Sequence, residues 1–236
     1  LCVDESKLKR ASRALLAEAG IATAPYAAVR EALAEISDGL LVNPDKTAVS
    51  TLQLMPSESR LIENINPSTL FKSVKSAADL DHVREAMRQD GAALCGFFAE
   101  FERNLADGTA MNELDIDTML HKYRSARPNF VSLSFNTIAG YNANGALPHY
   151  AATPEAFSDI TGSGLLLIDS GAQYLGGTTD STRVVPVGET TPEQKRDYTL
   201  VLKAHIALAE AVFPENIAAP LLDAICRKPL WQEQCN

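Results

Sequence analysis

Leu165-Leu166-Leu167-Ile168-Asp169-Ser170-Gly171-Ala172-Gln173-Tyr174-Leu175-Gly176-Gly177-Thr178-Thr179-Asp180-Ser181-Thr182-Arg183 is the stretch on which the reading of this chain turns. Its apolar run, Leu165 to Ile168, has the composition of a short buried strand. The run ends on a carboxylate, Asp169, which is costly to bury unless it is paired, hydrogen-bonded or bound to metal. Eleven positions later comes a second, Asp180, and a hairpin can bring the two together. Residues directly opposed in a hairpin share a constant sum of numbers, so Asp169 facing Asp180 requires a turn centred between Tyr174 and Leu175. A type I turn followed by Gly176 in the left-handed conformation, with a bulge, fits there. A turn at Gly176-Gly177 instead sets Asp169 against Val184 and offsets the carboxylates by roughly 14 Å, too far to share a metal.

Two close carboxylates repel unless a cation lies between them or one takes up a proton. Oxygen ligands favour a hard or borderline divalent ion, Mn²⁺ first, with Zn²⁺ or Co²⁺ as alternatives. The competing reading of the isolated pair is structural: Asp169 caps a turn and Asp180 pairs with Arg183.

Outward from this stretch, Phe130 to Ile138 has strand composition, and Asn142, Asn144 and Gly145 make a turn-rich loop before His149. Thr178 to Val187 reads as the returning strand, halted by Pro186 and Gly188. Leu80, Val83, Met87, Leu94, Phe97, Phe101 and Leu105 predict a long amphipathic helix from a Ser76/Asp79 cap to about Gly108. Asn112 is placed to cap a further helix to about Ser125. Pro192 suits the first turn of another, continuing through His205 and Val212. A last helix covers about Pro220 to Arg227. Before Ser76 the texture is shorter: a helix over 5–19 closed by Gly20, one after Pro25, and a strand at Leu40 to Val42. Helices, then strands, then helices make the fold class α+β rather than an alternating βαβ sheet.

The chain has 236 residues, a hydrophobic fraction of 46%, a charged fraction of 22% and a net charge of -9. Such acidity argues against nucleic acid or an anionic membrane as partner. No apolar run approaches the ~20 residues that span a bilayer. Cys2, Cys95, Cys226 and Cys235 form no CxxC, and reduced thiols in a cytoplasmic protein are expected.

With its flanks, the stretch resembles a known site. Leu167 to Tyr174 followed by Gly177 to Arg183 looks like the metal-binding hairpin of Xaa-Pro aminopeptidases. These are pita-bread (creatinase-fold) metallopeptidases, a group that includes prolidases and methionine aminopeptidases. Phe135-Asn136-Thr137-Ile138 and Asn144-Gly145-Ala146-Leu147-Pro148-His149-Tyr150 resemble the same family's approach to its active site. Val201 to Leu208 and Leu221 to Ile225 fit its helices.

The resemblance implies a role for each residue. Asp169 binds one metal and Asp180 bridges two, while His149 lines the substrate pocket and stabilises charge near the reacting carbonyl. His82, His121 and His205 fall on predicted helices and read as surface or packing residues. Two departures stand out: Pro148 before the pocket histidine, and a ligand set lacking the family's later histidine and two glutamates. Residues 1–75 resemble the later part of a middle, creatinase-N-like domain. Residues 76–236 resemble the first part of the pita-bread catalytic domain. The implied enzyme removes an N-terminal residue that precedes proline, using two divalent ions and peptides with proline second; a homodimer is left open. The chain is expected to be a piece of that enzyme, with weak metal binding and little or no turnover. The rivals are a prolidase or creatinase-like hydrolase of the same fold, and a non-catalytic pita-bread module that binds protein.

Overall fold

Two units divide the chain, Leu1–Ser76 and Ala77–Asn236. The computed structural model describes residues 1–36, 39–56 and 60–233. Cys235 lies outside them, while Cys2, Cys95 and Cys226 are free thiols.

The first unit is built from short pieces: β1 (Cys2–Val3), α1 (Arg10–Glu18), β2 (Ala24–Pro25), α2 (Val29–Ala34), β3 (Leu40–Val42), α3 (Val49–Leu52), β4 (Leu61–Glu63) and α4 (Pro67–Ser73). Its strands pair in parallel, β1 with β2 and β3 with β4. The helix expected over 5–19 starts only at Arg10. Asp4 caps a separate 3-10 turn, Glu5–Lys7, by accepting from the Ser6 amide, and Leu8 then leaves that turn extended. A local side-chain cap has outcompeted the helical period there.

The second unit opens on α5 (Ala77–Ala106) and α6 (Glu113–Ser125). Gly108 follows the first at a φ of 69°. Asn112 caps the second in a capping box with Asp115, satisfying amides that have no partner within the helix. Then come β5 (Phe130–Leu133), β6 (Ile138–Tyr141), β7 (Gly164–Ser170), β8 (Ala172–Tyr174), β9 (Gly177–Thr178), β10 (Ser181–Val187), α7 (Pro192–Ala209) and α8 (Ala219–Gln232). Thr191 and Gln194 form the capping box of α7, with Pro192 in its first turn. The last helix runs past Arg227 to Gln232, carrying Pro229 inside it.

Among the described residues the strands of the second unit form two antiparallel sheets, ordered β10-β7-β6 and β5-β8-β9. The segment Phe130–Ile138, expected as one strand, is two: β5 joins one sheet and β6 the other. Pro186 does not stop the returning strand; it pairs with Leu165 inside β10. That strand is the sheet's edge, where a missing amide hydrogen costs no ladder bond.

Strand β7 alternates: Gly164, Leu166, Ile168 and Ser170 are buried, while Leu165, Leu167 and Asp169 are half-buried. Leu166 and Ile168 join Phe97 and Phe101 of α5 and Ile116 and Leu120 of α6 in one core. That core is the floor on which the opposite face of β7, with Asp169, rests.

Candidate metal centre

Asp169 sits near the end of the central strand of its sheet, paired with Ile138 on one side and Thr182 on the other. Period-two alternation sends Ile168 and Ser170 into the core, so Asp169 must face away from it. Its Oδ1 accepts a 2.7 Å hydrogen bond from the Thr182 hydroxyl. Beyond Ser170 the hairpin continues as a second ladder, with Gln173 opposite Thr178 and Tyr174 opposite Gly177. Buried Thr179 joins the two ladders: its amide donates to the Ala172 carbonyl at 2.8 Å and its hydroxyl accepts from the Ala172 amide at 3.0 Å. Asp180, the next residue, is exposed, and its carboxylate has no hydrogen bond or ion pair among the described residues. Arg183, the partner offered by the structural reading, gives its Nη1 to the Thr182 carbonyl.

The register differs from both alternatives read from the sequence. Asp169 faces Thr182, and Leu167 faces Val184. Both ladders share this register, so the turn is centred between Leu175 and Gly176, not between Tyr174 and Leu175. Gly176 does take a positive φ, 100°, but in a two-residue turn without the expected bulge. Anchoring at the tip explains the shift. Tyr174 is buried and its hydroxyl donates to Asp90 Oδ1 at 3.1 Å. Gly177 lies so close to α5 that a Cβ there would stand 2.7 Å from that of Ala86. Asp180 therefore lies two residues turnward of the position opposite Asp169. Diagonal neighbours across a strand pair stand about 7–8 Å apart between backbone positions; the direct opposition expected for a shared metal is not the register observed.

The donor set suits a cation, since one carboxylate is free and the other uses one oxygen in a single short hydrogen bond. It is a partial set. Two aspartates offer at most four oxygens, whereas two ions require on the order of ten ligand atoms. Among the described residues no group of three or more His, Cys, Asp or Glu side chains could hold a metal.

His149 lies in an exposed loop three residues beyond the 3-10 turn Asn142–Ala146, at a φ of 56°. Its neighbourhood is set from within by Glu113, the first residue of α6, which is 1% exposed. The Glu113 carboxylate accepts from the amides of Tyr141 and Ser158, the Asn144 side chain and the Tyr150 hydroxyl. Burial, then this bond to Glu113, pushes the Tyr150 phenol up. His82, His121 and His205 sit exposed on α5, α6 and α7; the His121 ring meets Phe130 edge-on at 5.8 Å.

Two buried polar groups escape sequence reading. Glu113 looks like an ordinary first-turn acid, and its acceptors' partners lie up to forty-five positions away. The pair Asp90 and Arg124 is likewise hidden on the polar-looking positions of α5 and α6. Arg124 Nε and Nη2 donate to Asp90 Oδ1 and Oδ2 at 2.7 and 3.0 Å, both residues buried. Only the helix pairing brings them together.

Known proteins are similar to this chain. A Probable Xaa-Pro aminopeptidase P of Coccidioides posadasii is 37% identical over 243 residues, covering 98% of this chain and 37% of that protein. Xaa-Pro aminopeptidase 1 of Dictyostelium discoideum is 37% identical over 235 residues, covering 98% and 37%. The X-prolyl aminopeptidase of Caenorhabditis elegans, described as a cytosolic enzyme with a di-nuclear active site, superposes with a TM-score of 0.88. It is 28% identical, over 98% of this chain and 39% of its own. Prolidase from Pyrococcus furiosus, at 19% identity and a TM-score of 0.68, shares the fold. The chain thus spans about two-fifths of the length of the curated relatives it matches. A profile of the Creatinase/Prolidase N-terminal domain matches residues 1–79. The profile of the second unit matches residues 81–235, and with it the chain belongs to metallopeptidase family M24.

Proposed function

We propose that the protein carrying this chain is a dimetal Xaa-Pro aminopeptidase that hydrolyses the bond between an N-terminal residue and a following proline. The observation that carries the reading is the hairpin: Asp180 lies two residues turnward of Thr182, the partner of Asp169, and its exposed carboxylate has no protein partner among the described residues. Relatives named for this activity, and a structural neighbour described as di-nuclear, support it. Residues 1–75 belong to a creatinase-N-like domain and 76–236 to the catalytic domain. The working compartment is the cytoplasm.

Asp169 and Asp180 would hold part of a pair of divalent ions, with Mn²⁺ favoured by the oxygen donors. When bound, the ions supply Lewis acidity and lower the pKa of the attacking water. The chain's own residues do the rest of what falls to it. Thr182 fixes the Asp169 carboxylate through its hydroxyl, so that ligand loses little freedom on binding. Asp180, at the junction of two ladders, has its backbone held by the Thr179–Ala172 bonds on one side and by β10 on the other. His149 donates to the oxygen on which charge develops. The remaining metal ligands and the general base lie outside this set, and the chain by itself is expected to bind metal weakly and to turn over little.

The test is hydrolysis of Xaa-Pro-Yaa tripeptides against Xaa-Pro dipeptides by the Mn²⁺-loaded protein at the length of its relatives. Release of the N-terminal residue from tripeptides is expected. Cleavage confined to dipeptides would sink the assignment in favour of a prolidase.

A further inference from the structure

Glu113 presents a problem that its place in α6 does not solve. A buried carboxylate is tolerated only when it is paired or fully hydrogen-bonded, and no cation pairs with Glu113 among the described residues. Its position at a helix N-terminus helps the charge, but the oxygens themselves are satisfied from elsewhere. Oε1 accepts from the Tyr141 amide at 2.7 Å and from Asn144 Nδ2 at 3.0 Å. Oε2 accepts from the Tyr150 hydroxyl and the Ser158 amide, both at 2.8 Å, with Asn144 Nδ2 at 3.2 Å. Every donor belongs to the segment from Tyr141 to Ser158, which is the segment that carries His149.

His149 itself is held by nothing of its own. Its exposed side chain has no partner among the described residues, and its backbone is at a φ of 56°. A non-glycine residue in that region is strained and persists only where the surroundings over-determine it. The surroundings here are Asn144 five residues before and Tyr150 one residue after, both fastened to the same carboxylate. Asn144 Nδ2 also lies 3.0 Å from the Tyr150 oxygen, so the two ends of the loop are tied to each other as well as to α6. The Leu147 amide donates to the Asn144 carbonyl and the Tyr150 amide to that of Leu147, closing the loop between the ties.

We propose that Glu113 is a positioning residue for His149, acting through Tyr150 and Asn144 to hold the loop in the one backbone conformation that presents the imidazole. The proposal rests on the reading of His149 as the group that assists the developing oxyanion. Its structural half, that the clamp dictates the conformation at His149, is independent of that reading.

Two measurements separate the halves. Tyr150→Phe removes one hydroxyl and keeps the ring; Glu113→Gln keeps the shape and removes the charge. In this chain, Tyr150→Phe is expected to shift the His149 ring Hε1 signal and to raise the fast mobility of residues 147–151 by ¹⁵N relaxation, while the signals of α6 and β7 stay in place. Unchanged His149 and loop signals would overturn the clamp. In the enzyme at the length of its relatives, Tyr150→Phe should lower kcat on an Xaa-Pro-Yaa tripeptide about ten- to a hundredfold with little change in KM. In a His149→Ala background the same change should cost almost nothing, because the group it positions is gone. An equal loss in both backgrounds means that the role is merely structural and defeats the proposal. A wild-type enzyme inactive on Xaa-Pro peptides defeats the functional reading, while the relaxation measurement still decides the clamp. If Glu113→Gln fails to fold, Tyr150→Phe carries the test alone.

Discussion

Asp180 is the residue on which the metal reading stands most exposed to test. In the metal-loaded protein Asp180→Asn, which keeps size and removes charge, should lower bound Mn²⁺ at a given free concentration by at least about tenfold, as measured by elemental analysis after dialysis. Equal metal content in the variant and the parent would favour a protein-binding module instead. The buried pair is a stability question. Asp90→Ala leaves the Arg124 guanidinium buried and unpaired and should cost about 3–5 kcal/mol in urea unfolding, while replacing both residues with Leu and Met should cost far less. Tyr174 links this pair to the hairpin. Burial first, and the neighbouring Asp90 charge second, push its phenol well above its ordinary value. The unfolded chain loses that proton near pH 10, so the unfolded state binds fewer protons above that pH and stability falls as pH rises. Tyr174→Phe should therefore flatten the alkaline limb of the stability curve between pH 9 and 11 relative to its own value at pH 7; an unaltered slope counts against the assignment. Asp169 and Asp180 were singled out in the sequence by their local pattern, and His149 by its resemblance to the family. Asp90, Glu113 and Arg124 were not, since burial of a charge is decided by what packs over it.

At the scale of elements, the hairpin shows where local pattern stops being sufficient. The apolar run and the two aspartates announce two antiparallel strands, and the structure has them. Their register depends on a turn whose local chemistry permits several solutions, since both Gly176 and Gly177 can take a positive φ. The choice is made by α5, against which Gly177 is seated, and by Tyr174 reaching Asp90. Gly177→Ala should consequently strain the tip and destabilise the second unit by about 1–3 kcal/mol. Because the tip sets the register, it should also weaken metal binding at a site it does not touch. A full loss of stability with unchanged metal affinity would show that the tip does not govern the ligands. Pro186 teaches the same lesson from the other strand. As a residue it signals a stop, and only the knowledge that β10 is an edge removes the objection.

For the whole molecule the boundary between the two units falls at Ser76, in an exposed stretch that runs from Lys72 in the last turn of α4 through Lys75 to the start of α5. Brief trypsin treatment should cut there first and release a fragment beginning at Ser73 or Ser76, identified by intact mass; first cuts after Arg84 or Arg88, inside α5, would contradict it. By itself the sequence determined the α+β class and nearly all the helices of the second unit, because helical period, capping residues and strand alternation are written within a few neighbouring positions; it also singled out Asp169 and Asp180 by spacing and His149 by resemblance. The tertiary structure alone decided the diagonal register of Asp169 and Asp180, the splitting of Phe130–Ile138 between two sheets and the carboxylate under the His149 loop. Each of those depends on groups tens of residues apart meeting in a dry interior, where an unpaired charge or a misplaced Cβ costs several kcal/mol and so selects one arrangement among those that local chemistry permits.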